Sequence, residues 1–163
     1  MSLLPIVLWP DPRLNQRCRA VAVGADIRDL AADMLATMYH AKGRGLAAPQ
    51  VGAMVRLFVM DSSWKQGVAT PMVLVNPEVL ARSGETATRS EGCLSIPGIA
   101  AEVTRPAEVT LRWLGLDGVV REQTFAGFEA TCIQHEIDHL DGVLTLDRVD
   151  PATRVRLLAE LAA

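Results

Sequence analysis

Aromatic residues are scarce in this sequence, at 4% of positions, so its core must be built from Leu, Val, Ile, Ala and Met. No apolar run approaches the roughly 18–20 residues that a membrane helix requires. The apolar start, Met1 to Trp9, has no basic segment before it and is interrupted by Pro5, so no signal peptide and no membrane association are expected. Charge of one sign is also missing: 16 Lys and Arg stand against 19 Asp and Glu, for a net charge of −3. That balance offers no broad basic face and argues against nucleic acid as a partner. The three cysteines, Cys18, Cys93 and Cys132, are odd in number and far apart, which excludes a disulfide scaffold and points to a reducing, cytoplasmic setting. Repeats, low-complexity tracts and linkers are absent.

Half of the 163 residues are apolar and 21% are charged, enough to bury a core, and the length suits one domain. A first amphipathic helix is predicted from Asp26 to His40, with Ile27, Leu30, Ala31, Met34 and Met38 on one face, Asp26 as N-cap and Gly43 as the stop. The segment Gly43 to Gly52 is too rich in Gly and Pro to be regular. Short strands are predicted at Val55–Met60 and Met72–Val75, and a hairpin joins Ala107–Leu114 to Val119–Ala126 through Asp117-Gly118. A second helix, Gly127 to Leu140, is apolar on more than one side and must be buried. A last helix runs from Pro151 to Leu161. The predicted class is α+β, with mostly antiparallel sheets around the central helix.

That central helix carries His135-Glu136-Ile137-Asp138-His139, an H-E-x-x-H pattern. Helix positions four apart share one face about 6 Å apart along the axis, so both imidazoles can reach one divalent ion. Glu136, offset by one residue, then lies beside the metal and can take a proton from water held there. A catalytic site of this kind needs a third protein ligand and an open position. Six residues after His139 stands Thr145, not the His of a metzincin. Glu160 in the last helix and Cys93, preceded by Gly92 in a segment read as a loop, are the two candidates for the third ligand. Cys132 lies too far along the helix to join the pair, and reads as core filler. Cys18 reads as an inert core thiol and His40 as a helix-end or surface residue.

Three segments, Gly43-Arg44-Gly45-Leu46-Ala47-Ala48-Pro49-Gln50, Glu91-Gly92-Cys93-Leu94-Ser95 and Gln134-His135-Glu136-Ile137-Asp138-His139, occur in this order. They resemble the three signature motifs of peptide deformylases, G-x-G-L-A-A-x-Q, E-G-C-L-S and Q-H-E-x-D-H. Pro10-Asp11-Pro12-Arg13-Leu14 and Asn76-Pro77 resemble further family segments, so the likeness spans nearly the whole chain. The resemblance implies one catalytic domain over residues 1–163 that removes the formyl group from N-formylmethionine at the start of nascent proteins. It implies Cys93, His135 and His139 as metal ligands, Glu136 as acid and base, and Gln50 with the Leu94 N–H as oxyanion donors. The implied metal is usually Fe²⁺, with Zn²⁺ and other divalent ions able to occupy the site.

The loop around Gly43 and Gly45 would pair with the peptide backbone, and Arg44, Arg89, Gly92, Phe128, Thr131 and Cys132 would complete the substrate pocket. Several positions depart from the family pattern. Arg44 and Arg89 stand where apolar residues are common, Thr131 is more polar than the usual aliphatic residue, and Ala100 lies near where an Arg often stands. These departures keep two alternatives in view: a deformylase-like paralogue with weak activity or a different N-acyl or acidic substrate, and a non-catalytic metal-binding protein of the same fold. The resemblance also makes the ribosome a possible partner, but the last helix carries only Arg154 and Arg156 as basic residues, which weakens the case for docking through a basic C-terminal helix.

Overall fold

The structure is a computed structural model that describes residues 1–22 and 24–163. It has three α-helices, α1 (Arg28–His40), α2 (Gly127–Leu140) and α3 (Pro151–Ala162). Five antiparallel strands form the larger sheet: β1 (Gly45–Ala47), β2 (Leu57–Met60), β3 (Met72–Arg82), β6 (Glu108–Leu114) and β7 (Val120–Ala126), in the order β1-β2-β3-β6-β7. The remaining strands, β4 (Thr86–Cys93) and β5 (Ile96–Pro106), pair only with each other. The class is α+β with antiparallel sheets, as the sequence indicates.

Helix α2 is held between the two sheets. Every residue from Ala130 to Leu140 is buried. On one side Ala130, Ile133, Ile137 and Leu140 pack into a core with Phe58, Leu74, Leu111 and Phe125 of the larger sheet. On the other side, polar groups of α2 meet the β4–β5 hairpin, where Gln134 Nε2 donates to the Pro106 carbonyl at 2.9 Å. A second core joins Ile99, Ala101 and Val103 of β5 to Leu157 of α3. A third joins Met34 and Met38 of α1 to Leu46, Leu57 and Val59.

Four expectations need correction. The segment Gly43 to Gly52 is regular in part, because Leu46 and Ala47 pair with Val59 and Phe58 in β1 and Ala48–Val51 forms a 3₁₀ turn. Helix α1 begins at Arg28 with Ile27 as the N-cap residue; the Asp26 carboxylate instead accepts from the Arg28 N–H at 3.1 Å, just ahead of the helix. Its left-handed stop is Lys42 (φ 60°), not Gly43, whose N–H closes back on the Met38 carbonyl at 2.9 Å. Cys93 does not sit in a free loop: it is the last residue of β4, facing Ile96 across the turn. The β4–β5 hairpin escapes a search for apolar runs because Thr86 to Gly92 alternates small and charged residues rather than forming a run. Smaller differences are the start of β2 at Leu57 and the extension of β3 to Arg82.

Candidate active site

The strand-to-turn segment around β1 has backbone that approaches α2 closely. A Cβ on Gly45 would collide with Glu136 Oε2 and lie 3.1 Å from Cys132 Sγ. Only glycine lets the strand lie that close to the helix. The following 3₁₀ turn, Ala48–Val51, brings Gln50 inward, where it is 1% exposed. Its Oε1 accepts from the Ala47 N–H at 2.9 Å and its Nε2 lies 3.1 Å from Ser95 Oγ and 3.7 Å from Cys93 Sγ. With the oxygen engaged by a backbone donor, the amide orientation is fixed and its N–H groups face the cavity side.

Helix α2 presents His135 and His139 on one face, with their Nε2 atoms 3.2 Å apart. Cys93 Sγ lies 3.4 Å from His139 Nε2. The three donor atoms fall within 4.8 Å of one another. One sulfur and two imidazole nitrogens turned toward one point suit a borderline-soft divalent cation. The donor set therefore fits the metal that the sequence motifs imply. Glu136 Oε1 is buried without a hydrogen-bond partner, as suits a carboxylate kept free of the ligand set; His139 Nδ1, the nitrogen turned away from the other donors, is also without one.

The ligating face is held by a chain of charges. His135 Nδ1 meets Glu91 Oε1 at 3.0 Å, which leaves Nε2 free to ligate. Arg105 forks onto Glu91 through Nε (2.7 Å) and Nη2 (2.9 Å), and its Nη1 reaches Asp138 at 2.9 Å. Arg148 closes the other side of Asp138 at 2.7 and 3.0 Å. Burial works against the Glu91 charge, but hydrogen bonds from Arg105 and His135 outweigh it and hold its carboxyl below the ordinary range. Burial pushes the Glu136 carboxyl up to about 7. Burial, reinforced by the charge on His135, pushes His139 well below the ordinary imidazole value. Burial raises the Cys132 thiol, with the Glu136 carboxylate adding to it, so Cys132 stays protonated.

A cavity of about 560 Å³ opens over this cluster. Gln50, Cys93, Leu94, His135 and Glu136 stand at its inner end, and Gly43, Arg44, Gly45, Gly92, Phe128, Thr131 and Cys132 line its walls. Arg89 is the one predicted pocket residue outside that lining. It lies on β4 two positions before Glu91, opposite Val103, and its Nε is buried without a partner. Ala100 does line the cavity. Glu160 is remote from the donor set, paired at 3.2 Å with Arg156 on the exposed side of α3. Cys18 is buried and His40 exposed, each outside the cluster. Sequence reasoning missed the roles of Arg105, Arg148 and Ser95. Glu91 and Asp138 were visible inside the motifs, but their cationic partners lie 14 and 10 residues away and carry no local signal.

Comparison with known proteins identifies the chain's relatives. The family model of polypeptide deformylases matches residues 3–155. A peptide deformylase of Alkalilimnicola ehrlichii is 49% identical over 162 residues, covering 99% of this chain and 90% of its own. One from Afipia carboxidovorans is 46% identical over 159 residues, covering 97% and 93%. Among solved structures, the peptide deformylase of Ehrlichia chaffeensis in complex with actinonin superposes with a TM-score of 0.92 at 35% identity, covering 99% of this chain and 96% of its own. That of Legionella pneumophila gives 0.92 at 38% identity, covering 99% and 94%. With three motifs converging on one cavity and full-length relatives on either measure, the chain belongs to the polypeptide deformylase family.

Proposed function

We propose that residues 1–163 act as one catalytic domain whose cavity hydrolyses the formyl group from N-formylmethionyl peptides of newly made proteins, with Cys93, His135 and His139 holding one divalent cation. The observation that carries this is the convergence of those three donors beneath a cavity that also holds Gln50 and the buried Glu136. Fe²⁺ is the ion we assign, a choice that rests on the family resemblance; Zn²⁺ suits the same donors. When bound, such an ion polarises the formyl carbonyl and lowers the pKa of water beside it.

The chain's own groups do the rest. Glu136, with a carboxyl near 7, is suited to accept a proton from the attacking water and to return it to the leaving amine. As the formyl carbon becomes tetrahedral its oxygen gains charge, and the Gln50 amide and the Leu94 N–H are the donors available to it; one such donor is typically worth about 10²–10³ in turnover. Strand β1 pairs with β2 on one side only, which leaves an edge beside the cavity for an extended peptide to add as a strand. Phe128, Thr131 and Cys132 receive the methionine side chain, with Gly43, Arg44, Gly45 and Gly92 framing it. Arg89, outside the cavity lining, is assigned no contact with the peptide. Glu136 and Gln50 favour catalysis over a purely metal-holding role, since neither is needed to hold an ion. The basic residues of α3 are engaged, Arg154 with Asp147 at 3.1 Å and Arg156 with Glu160, which leaves ribosome docking through this helix without support.

The test is formate release from formyl-Met-Ala-Ser by anaerobically prepared, Fe²⁺-loaded protein, with acetyl-Met-Ala-Ser as the control. Release of formate and no acetate is expected. Absence of formate from a fully loaded protein would refute the reading.

A further inference from the structure

The sequence contains two lysines, Lys42 and Lys65, and both line the cavity over the cluster, together with Arg44. Lys42 occupies the left-handed position after α1 (φ 60°), where glycine is the easy residue and a lysine is costly. Arg44 lays its guanidinium over the Phe128 ring, 5.0 Å from the centroid. Lys65 holds its ammonium over the Trp64 ring at 5.6 Å. Trp64 is itself fixed: its Nε1 donates to the Gly43 carbonyl at 2.9 Å, and Tyr39 meets it edge-on at 5.3 Å. Aromatic faces position a cation without cancelling its charge.

Among the described residues, none of these three side chains forms an ion pair. The Arg44 Nε is buried with no acceptor at all. Burial, then the charges of Arg44 and Lys42, hold the Lys65 ammonium below its ordinary range, so the three cations share one field. The only carboxylates in the lining are Glu91, taken by Arg105 and His135, and Glu136 at the inner end. A chain of net charge −3 thus keeps three uncompensated cations on one rim of its cavity.

We propose that this rim selects formylmethionyl peptides that carry Asp or Glu in one of the two residues following the methionine. The inference rests on the deformylase reading above. The formyl group must lie at the buried donor cluster, whereas Lys42 and Lys65 are exposed. An extended chain advances about 3.3 Å per residue, so the residues after methionine are the ones that emerge along the rim. A carboxylate there supplies the counter-charge that Arg44 and the two lysines lack.

The test compares kcat/KM on the metal-loaded full chain for formyl-Met-Asp-Ala, formyl-Met-Asn-Ala and formyl-Met-Lys-Ala, and for the same exchange one residue further on. At low salt the Asp peptide should exceed its Asn counterpart by about three- to tenfold at one of the two positions, the yield of one or two partly exposed ion pairs. The ratio should fall toward one in about 0.5 M salt, where screening is strong. It should also fall toward one in R44Q/K42Q/K65Q and persist in K42R/K65R. Because each ratio is taken within one protein, differences in metal loading cancel. Inhibition by the products Met-Asp-Ala and Met-Asn-Ala should show the same order. A ratio near one for the unaltered chain at both positions overturns this inference while leaving the deformylase reading intact. A ratio that survives in the triple variant overturns it as well. Failure to cleave any formyl peptide overturns the deformylase reading, and this inference with it.

Discussion

At the scale of the residue, the proposed chemistry turns on Glu136. It is 3% exposed, one carboxylate oxygen has no partner, and it lines the cavity. A buried carboxyl near 7 is poorly placed to stabilise the fold and well placed to exchange protons near neutrality. Glu136→Ala should therefore retain the metal, because no ligand is removed, while kcat falls by about 10²–10⁴. Metal analysis alongside formate release checks both halves; near-full turnover would remove Glu136 from the reaction. The motif residues themselves were legible in the sequence because each is tied to a short spacing. Arg105 was not: its importance comes from joining Glu91 on β4 to Asp138 on α2, a contact that only the folded chain creates. Arg89 shows the converse, since a cation near the motif in sequence lies outside the cavity lining.

At the scale of the element, the segment between α1 and β2 is the least tolerant part of the site. Gly45→Ala places a methyl into Glu136 and Cys132 and should force β1 away from α2. The expected result is a loss of at least about 1 kcal/mol in stability, typical of overpacking, with a larger loss of turnover than of metal. Thermal unfolding and metal content measured on the same sample separate the two effects. The segment is braced from behind by Asp61, whose N–H donates to the Arg44 carbonyl at 2.9 Å and whose carboxylate accepts from Tyr39 Oη at 2.6 Å.

Burial pushes the Asp61 carboxyl up, but hydrogen bonds from Tyr39, Thr70 and Ser63 outweigh it and leave it below the ordinary value of 3.8. Its contribution is thus present above about pH 4 and is lost as pH falls through the lowered value. Burial, then the hydrogen bond to Asp61, raises the Tyr39 hydroxyl to about 12. That contribution is present below about pH 10 and is lost as pH rises toward 12. In Tyr39→Phe the acid loss of stability should be smaller, because the Asp61 carboxyl then lies closer to its ordinary value, and the alkaline component should vanish. Denaturant melts across pH check this, and unchanged curves would mean that the pair does not brace the segment. Elements with strong local signals, α2 with its apolar flanks and the β6–β7 hairpin with its Asp-Gly turn, were readable in advance. The β4–β5 hairpin was not, because its pairing is set by partners across the strand and its exposed face is polar.

At the scale of the whole molecule, one of the three cores takes in the apolar side of α2, and the other two join β5 to α3 and α1 to β1 and β2. The larger sheet packs on the apolar side of α2, while the β4–β5 hairpin delivers Cys93, Glu91 and Arg105 to its polar side. The metal cluster therefore spans two layers that share few apolar contacts, so a bound cation should stabilise the molecule as well as activate it. No helix is long and apolar enough to cross a membrane among the described residues. The cation rim stands out against the net charge only in three dimensions, since Lys42, Arg44 and Lys65 are brought together by the packing of Trp64 on the Gly43 carbonyl.

The central claim is that Cys93, His135 and His139 together hold one divalent ion on which deformylation depends. The most direct measurement is the metal content of anaerobically purified protein and of its Cys93→Ser and His139→Ala variants, each with formate release and melting temperature recorded on the same sample. The account predicts about one divalent ion per chain in the unaltered protein, the ratio of a site with one set of ligands. It also predicts depleted or exchanged metal in both variants, and activity and melting temperature that fall together on chelation and return on reloading. Stoichiometric metal that persists in both variants, or formate release that continues after complete metal removal, would contradict it.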